Sequence, residues 1–156
     1  MSLLAIVEEA LVNQLGIKKV RRDEEEQTIQ FTVGVNHTDV RVHCRLLTEP
    51  DMLAVSCYFD VKIPEARRSE ILEYAMRRSL RFKYGNDMIY DDGYIHYTYH
   101  FIQGQVLDPG LVANMVDAGI RTTDAAFPGV MAILFGGKTA EELFTEEDEK
   151  RRKGSN

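Results

Sequence analysis

The sequence predicts an α+β protein in which helices cover one face of an antiparallel sheet. Three observations lead to this prediction. Apolar and polar side chains alternate with a period of two in three consecutive segments, as is typical of strands with one buried face. Short turn segments connect them, which favours antiparallel neighbours. Other segments repeat apolar residues with the period of a helix, so we expect the order α-β-β-β-α-β-β-α in two layers.

The first helix is predicted over residues 3–15, with Gly16 as its C-cap. Its apolar positions are Leu3, Leu4, Ile6, Val7, Leu11 and Leu15. The stretch from Lys18 to Gln27 is charged throughout. We interpret that stretch as either a solvated connection or a short edge strand.

Three alternating strands follow and form a meander. Their apolar positions are Ile29, Phe31, Val33 and Val35, then Val40, Val42, Cys44 and Leu46, then Leu53, Val55, Cys57, Phe59 and Val61. The loops at 36–39 and 48–51 keep apolar residues opposite apolar residues across both hairpins. The second loop pairs Leu47 with Met52, and therefore Cys44 with Val55.

This register predicts that the two cysteines, Cys44 and Cys57, are buried free thiols. The pairing of Cys44 with Val55 makes the cysteines diagonal neighbours on one face, about 7–8 Å apart. That separation lies near or beyond the Cα limit for a disulfide. Thiols in a core behave as small hydrophobic side chains.

A second helix is predicted to begin at Pro64, because proline is tolerated in the first turn of a helix. Its predicted buried stripe consists of Ile71, Leu72, Ala75, Met76 and Leu80. The opposite arc carries Arg67, Arg77, Arg78 and Arg81 around Tyr74. That arc could bind an anionic partner, but a solvated face with internal ion pairs such as Glu73 to Arg77 is the favoured interpretation.

The last two strands are predicted on either side of Asp92-Gly93, a strong signal for a two-residue hairpin. Such a turn would place Tyr90 opposite Ile95 and Met88 opposite Tyr97. It would also place Tyr84 opposite Phe101, giving one apolar and aromatic face.

The C-terminal region is predicted to be helical from Asp108-Pro109, an N-cap followed by proline. Pro128 should kink or break this helix before residues 130–135 resume it. Residues 139–142 form a capping-box pattern that starts a short last helix. We expect one α+β domain over residues 1–144 and a charged, disordered tail over 145–156.

Composition excludes several classes of function. The chain has 156 residues and a formal net charge of −6, whereas nucleic-acid-binding proteins usually carry a basic face. No run approaches the ~18–20 apolar residues of a membrane span. The N-terminus lacks the basic region of a secretory signal and turns acidic at Glu8. We therefore expect a cytoplasmic protein that binds neither nucleic acid nor membrane.

The sequence carries no motif that predicts catalysis, a metal site or a cofactor. His96 and His100 would be about 13 Å apart on a strand, too far to share a zinc ion. No Gly-x-Ser-x-Gly elbow is present, and the glycines do not follow a strand with the spacing of a phosphate loop. We expect a protein that is not an enzyme.

The predicted sheet face that the helices leave uncovered is the best candidate for binding a partner. Its candidate partner-binding residues are Arg41, His43, Arg45, Tyr58, Tyr94, His96 and His100, accompanied by Ser56, Ile89 and Thr98. This mixture of Tyr, Arg and His is typical of interfaces. The alternative is equally open, because an antiparallel sheet can simply face water on one side.

Two segments resemble a known family. They are Ile63-Pro-Glu-Ala-Arg-Arg68 with the helix after it, and 125–143 with its ending Phe135-Gly-Gly-Lys-Thr-Ala-Glu-Glu142. With the element order, they make residues 3–144 similar to the YbjN family of bacterial sensory-transduction regulators, which share the fold of type III secretion chaperones. The resemblance implies a cytosolic, dimeric, non-enzymatic protein that binds a polypeptide or modulates a regulatory response.

Two hypotheses of function follow. In the first, the protein is a chaperone-like module that holds an extended segment of an unidentified protein partner on its surface, through the sheet face and the exposed apolar side chains of the last helices. In the second, it is a small-ligand sensor whose pocket lies beneath the helices, lined by Tyr84, Tyr97, Tyr99 and Phe101. A homodimer is expected in either case, through the apolar residues Met131, Leu134, Phe135, Leu143 and Phe144 of the last helical region.

Overall fold

The computed structural model describes residues 2–48, 51–102 and 108–154. The helices are α1 (Leu3–Glu9), α2 (Arg68–Ser79), α3 (Pro109–Phe135) and α4 (Ala140–Gly154). The strands are β1 (Arg21–Asp23), β2 (Thr28–Gly34), β3 (Asp39–Thr48), β4 (Asp51–Lys62), β5 (Asn86–Ile89) and β6 (Tyr94–Ile102). A π-helical segment, Ala10–Gln14, continues α1, and a 3₁₀ turn, Glu65–Arg67, precedes α2.

The strands form one antiparallel sheet in the order β1-β2-β3-β4-β6-β5. The predicted fold class, α+β with helices on one face of an antiparallel sheet, is confirmed. The charged stretch after α1 contains β1, so the interpretation as a short edge strand is the correct one of the two alternatives. The opposite edge of the sheet is β5.

Two clusters of buried side chains lie between the helices and the sheet. The first joins α1 and the first half of α3 to β2, β3, β4 and β6, and it includes Val7, Val42, Val55 and Val116. The second joins α2, α4 and the second half of α3 to the ends of β4 and β6, and it includes Phe59, Ile71, Val130 and Phe144. Helix α3 thus contributes to both clusters.

The register between β3 and β4 is the predicted one. Leu47 pairs with Met52, and Cys44 pairs with Val55, while the turn residues Glu49 and Pro50 lie outside the described residues. Cys44 and Cys57 are both buried and free, as predicted. Burial raises the pKa of the Cys44 thiol to about 12 and that of Cys57 well above its usual value.

The predicted register between β5 and β6 is wrong by one residue. Ile89, not Tyr90, pairs with Ile95, and Asp87, not Met88, pairs with Tyr97. The turn is wider than expected, because the N–H of Gly93 donates to the carbonyl of Tyr90 and only Gly93 in the turn has a positive φ, 84°. A two-residue type I′ turn needs positive φ at both central residues, whereas this three-residue turn ends in one left-handed glycine.

The shift of one residue changes which side chains the hairpin buries. Asp87 and Ile89 face the helices, whereas Met88 and Tyr90 are exposed, at 47% and 40% of their surface. The expected apolar face built from Tyr84, Met88 and Tyr90 is therefore wrong. Tyr84 lies before the strand and is exposed.

Helix α2 also buries a different face from the one predicted. Ile71 and Ala75 are buried as expected, but Tyr74 joins them, and Leu72, Met76 and Leu80 are exposed. Tyr74 and Arg78 can lie inward because the Arg78 guanidinium finds polar partners. Its Nε donates to Asp87 at 2.7 Å and its Nη2 donates to the carbonyl of Thr122 at 2.7 Å. The expected solvated arginine arc is thus wrong at Tyr74 and Arg78, whereas the Glu73–Arg77 ion pair forms at 2.8 Å.

In the C-terminal region, one of the two alternatives expected at Pro128, a break rather than a kink, is wrong, and so is most of the expected disordered tail. Helix α3 runs through Pro128 without a break, and buried Ala126, Val130 and Ile133 on both sides anchor it to the second cluster. The predicted disordered tail is also wrong for residues 145–154, which continue α4 as a helix. Residues 155–156 lie outside the described residues.

Candidate functional site

The sheet face opposite the helices, called the open face below, carries the predicted partner-binding residues. Strand pairing places Arg41 beside Tyr58, Tyr58 beside His96, and His43 beside Ser56. The predicted residues Arg41, His43, Arg45, Tyr58, Tyr94, His96 and His100 thus share this face, since residues paired across strands point to the same side. Ile89, which was expected with them, faces the helices, because of the shift in the β5–β6 register.

Two concavities lie side by side on the open face. The first, of about 310 Å³, is lined by Arg21, Gln30, Phe31, Thr32, Arg41, Val42, His43 and Tyr58. The second, of about 230 Å³, is lined by His43, Arg45, Ala54, Val55, Ser56, Tyr90, His96, Thr98 and His100. His43 lines both, so the two concavities are neighbours across β2, β3, β4 and β6, and together they are called the depression below.

His96 lies at the centre of a polar network that the sequence analysis missed. Its Nε2 donates to the Asp92 carboxylate at 2.9 Å, so the Nδ1 of the neutral ring accepts from the Ser56 hydroxyl at 2.6 Å. Tyr58 stacks on the ring at 4.4 Å between centroids, and Tyr90 lies 4.6 Å away. Burial lowers the pKa of His96, and the Asp92 carboxylate opposes that shift.

The Ser56–His96–Asp92 network has the connectivity of a catalytic triad but not its surroundings. Acyl transfer also needs free donors aimed at the developing oxyanion. Ser56 is in the middle of β4 and pairs with His43 on one side and Thr98 on the other. The backbone of Ser56 is paired within the sheet and is therefore not a free donor for an oxyanion. We interpret the network as a structural one that holds the β5–β6 turn against β4. The spacing of Asp92 and His96 across the turn is the one sequence signal that could have indicated it.

The charges of the open face are largely paired with each other. Arg41 donates to Asp60 at 2.6 Å, and Arg45 lies 3.8 Å from Glu26 in a looser pair. Burial, with the nearby charges of Arg45 and His96, lowers the pKa of His43. His43 is therefore neutral at pH 7, and the open face combines aromatic rings with guanidinium groups rather than presenting a strongly basic surface.

Side chains and helix α3 occupy the space in which the ligand-sensor hypothesis expected a pocket. Tyr97 and Tyr99 are buried, and helix α3 packs directly on them at Gly119. A Cβ on Gly119 would lie 3.3 Å from the Tyr99 ring and 3.0 Å from the Cys57 sulfur. The Tyr97 hydroxyl donates to the carbonyl of Tyr84 at 2.5 Å.

Other parts of that hypothesis also fail. Tyr84 is exposed and lines, with Tyr99, an open surface concavity of about 320 Å³ rather than a pocket beneath the helices. The side chain of Phe101 lies outside the described residues. No observation on the described residues favours the sensor.

The predicted dimer surface is only partly exposed. Phe135 is 80% exposed at the end of α3, whereas Met131, Leu134 and Leu143 pack partly against the second cluster. The choice of Phe144 is wrong, because its ring is buried against Tyr74 and lies under the Arg81 guanidinium. A charged substitution at Phe144 would therefore test folding rather than association.

A second surface, between α2 and β5, was not expected from the sequence. A groove of about 380 Å³ lies there, lined mainly by apolar side chains. Its lining residues are Leu72, Ala75, Met76, Ser79, Asn86, Asp87, Met88 and Ile89. This groove with the neighbouring side chain of Leu80 is called the α2–β5 face below.

The described residues offer neither a metal site nor a membrane-spanning helix. Among residues 2–48, 51–102 and 108–154, no three His, Cys, Asp or Glu side chains are grouped so that they could hold a metal ion. In the same part of the chain, no helix is both long and apolar enough to cross a membrane.

Comparison with protein families identifies residues 5–131 as a match to the YbjN family, described as "Putative bacterial sensory transduction regulator". The match covers well over half of the chain, so this protein belongs to the YbjN family. Family membership supports a regulatory or binding role. The matched range stops before Phe135, so the Phe-Gly-Gly-Lys segment that contributed to the resemblance lies outside it.

Comparison with solved structures finds similarity to a chain in "Crystal Structure of the ExsC-ExsE Complex", at 15% identity and a TM-score of 0.46. The aligned part covers 79% of this chain and 89% of that chain. No curated protein sequence matches the chain.

Proposed function

We propose that this YbjN-family protein is a non-enzymatic, cytoplasmic module that binds an extended segment of another polypeptide on the open face. The observation that supports the proposal is the pair of adjacent concavities across four strands, which the helices leave uncovered. Its walls carry half-buried Tyr58 and exposed Arg41, Arg45 and His100. Tyr and Arg are the residue types that contribute most to protein interfaces.

The chemistry of the depression indicates what kind of segment would fit. The ring of Tyr58 offers an apolar contact, and Tyr94 lies 5.8 Å from it. The 3.8 Å separation of Arg45 and Glu26 is long for an ion pair, so a carboxylate on the partner could replace Glu26 at low cost. We therefore propose a segment that combines aromatic or aliphatic side chains with one or two acidic residues.

Photo-crosslinking tests this proposal. Benzoylphenylalanine in place of the half-buried Tyr94 should capture discrete partner proteins in cells, because the Tyr94 ring lies 5.8 Å from the ring of Tyr58, which lines the first concavity. The control places the same group at Arg121, an exposed position on α3 away from the sheet. Adding Arg41→Glu and Arg45→Glu to the Tyr94 protein should abolish the captured species. Identical species from both positions, or none from position 94, would contradict the proposal.

We also propose that the protein is a homodimer, independently of which partner it binds. The edge of the sheet supports this proposal. Strand β5 is an edge strand, and exposed apolar side chains lie on it and on the neighbouring helix α2. Sedimentation equilibrium of the full chain tests it, since a dimer has twice the monomer mass of 17.8 kDa. A mass of 17.8 kDa at all concentrations would contradict it.

A further inference from the structure

The first concavity of the open face is basic, although the protein as a whole is acidic. The chain has 25 Asp and Glu residues against 19 Lys and Arg residues, which gives the formal net charge of −6. Within the described part of the chain, two arginines line the concavity and no carboxylate does. A concavity that concentrates positive charge in this way attracts an anion.

The strand register explains why these polar side chains meet at one place. Two rows of paired residues cross the strands here: Arg21, Gln30 and His43 in one, and Thr32, Arg41 and Tyr58 in the other. The two rows are two residues apart along β2 and β3, so their side chains point to the same face of the sheet. All six side chains line the first concavity.

The two arginines are available to a ligand. The side chain of Arg21 is exposed and has no ion-pair partner in the described part of the chain. Arg41 is paired with Asp60 at 2.6 Å, but both side chains are about half exposed, at 49% and 58%. Ion pairs that are this exposed contribute little to stability, so the Arg41 guanidinium can turn to an anion at low cost.

His43, between the two concavities, adds an independent sign of a ligand. Its Nε2 is buried and has no hydrogen-bond partner among the described residues. Buried polar nitrogens without a partner are rare in folded proteins, and a bound ion or water is one of the recognised reasons for them. An anion seated beside the His43 ring would give the imidazole a hydrogen-bond acceptor.

We infer that the first concavity binds a phosphoryl group, carried by a phosphorylated side chain of the polypeptide on the open face. This inference rests on the proposed function and adds the modification that the bound segment carries. A carboxylate offers two oxygens, whereas a phosphate monoester offers three and a charge of about −1.5 to −2 at pH 7. Each guanidinium donates through a pair of N–H groups, so two of them match a phosphate better than a carboxylate.

The shape of the concavity favours a side chain over a free metabolite. Sites for small molecules bury most of the surface of their ligand. Here Arg21, Gln30, Thr32 and Arg41 are all exposed, so the site is shallow. A volume of about 310 Å³ at the surface accommodates the phosphoryl end of a side chain, while the polypeptide that carries it continues toward the second concavity.

Titration of the full-length protein tests the site. The probes are N-acetyl-phosphoserine amide and N-acetyl-phosphotyrosine amide, and the backbone amide signals of β2 and β3 in NMR spectra report binding. Arg21→Gln and Arg41→Gln should each raise the Kd about tenfold, because each removes charge-assisted hydrogen bonds. Arg121→Gln is the matched control, since Arg121 is an exposed arginine with one carboxylate partner on α3.

The results of the titration decide whether the site recognises phosphate. Saturable binding that weakens in both concavity variants and not in Arg121→Gln supports the inference. Equally tight binding of N-acetyl-glutamate amide overturns it, because the site then selects only for negative charge. The absence of saturable binding of both phosphorylated probes overturns it as well.

A second measurement separates this inference from the proposed function. The protein with benzoylphenylalanine in place of Tyr94 is irradiated in a cell lysate with and without prior phosphatase treatment. Loss of the captured species after phosphatase treatment supports the inference. Captured species that are unchanged by phosphatase overturn it and leave the proposed function standing. If the phosphorylated probes bind but position 94 captures nothing, the proposed function and the polypeptide carrier are both overturned.

Discussion

Burial on the open face gives two histidines, His43 and His96, a pKa below the usual value of about 6.5. For His43 the Arg45 and His96 charges add to the effect of burial, whereas for His96 the Asp92 carboxylate opposes it. The folded protein therefore holds both rings neutral at a pH where the unfolded chain protonates them. Because the unfolded chain then binds more protons at these two sites, their contribution to the free energy of unfolding falls as the pH drops below about 6.5.

We expect His43→Gln with His96→Gln to flatten this pH dependence between pH 7 and pH 5. The free energy of unfolding, measured by urea titration at each pH, should decline less steeply in the double variant than in the wild type. His100→Gln is the control, because His100 lies exposed on the same strand and face. An unchanged slope in the double variant would show that other groups cause the acid sensitivity.

Single residues also show where sequence reasoning succeeds and where it fails. The burial of Cys44 and Cys57 could be predicted. Both residues occupy apolar positions of alternating strands, and both turns of the meander keep apolar residues opposite apolar residues. The exposure of Leu80 and the burial of Phe144 could not be predicted, because each depends on the direction in which a helix meets the sheet. Tyr74 and Arg78 have long side chains that bury an apolar part while the polar end finds a partner, so the α2 pattern was ambiguous.

Secondary-structure elements add a second kind of ambiguity, which concerns register. The β3–β4 hairpin was predictable, because apolar residues oppose each other in one register only. Asp92-Gly93 is compatible with both a two-residue and a three-residue turn, and the residues before it, Met88, Ile89 and Tyr90, are all apolar. Strand alternation therefore could not choose the register. The α2–β5 face could not be predicted either. The register of the β5–β6 hairpin determines which β5 side chains are exposed, and it is in the observed register that Met88 is exposed.

The contact between α2 and α3 gives a prediction at this scale. A Cβ on Gly129 would lie 2.1 Å from the Tyr74 hydroxyl oxygen and 2.4 Å from its ring carbon Cζ. The Tyr74 ring is buried and backed by Phe144, so it cannot move aside freely. Alanine has a helix propensity about 1 kcal/mol better than glycine, but overpacking costs about 1–3 kcal/mol, and here the clash is severe.

We therefore expect Gly129→Ala to lower the free energy of unfolding by about 1 kcal/mol or more, although it adds a better helix former. Urea denaturation followed by circular dichroism measures the change. The same substitution in a Tyr74→Ala background should cost less, since the clashing ring is gone, and this coupling identifies the contact. A stabilising effect of Gly129→Ala in the wild-type background would mean that α2 and α3 separate more easily than the structure indicates.

In the molecule as a whole, α3 and the sheet connect two buried clusters. Val112 and Val116 of α3 belong to the first cluster, while Val130 and Ile133 of the same helix belong to the second. Strand β4 contributes Cys57 to the first and Phe59 to the second. Because continuous elements cross both clusters, the expected single domain predicts one cooperative unfolding transition rather than two.

A shortened chain that ends at Lys138 tests this cooperativity, because it removes Ala140 and Phe144 from the second cluster only. Loss of one large buried aromatic side chain costs about 3–5 kcal/mol. If the clusters unfold together, the urea midpoint for thiol labelling of Cys44 and Cys57, which reports on the first cluster, should fall as far as the midpoint for circular dichroism. A chain that ends at Glu149 is the control, since it keeps both buried residues and the Arg81 ion pairs with Glu147 and Asp148. A thiol midpoint that stays at its wild-type value in the shorter chain would show that the two clusters unfold independently and that the chain is not one folding unit.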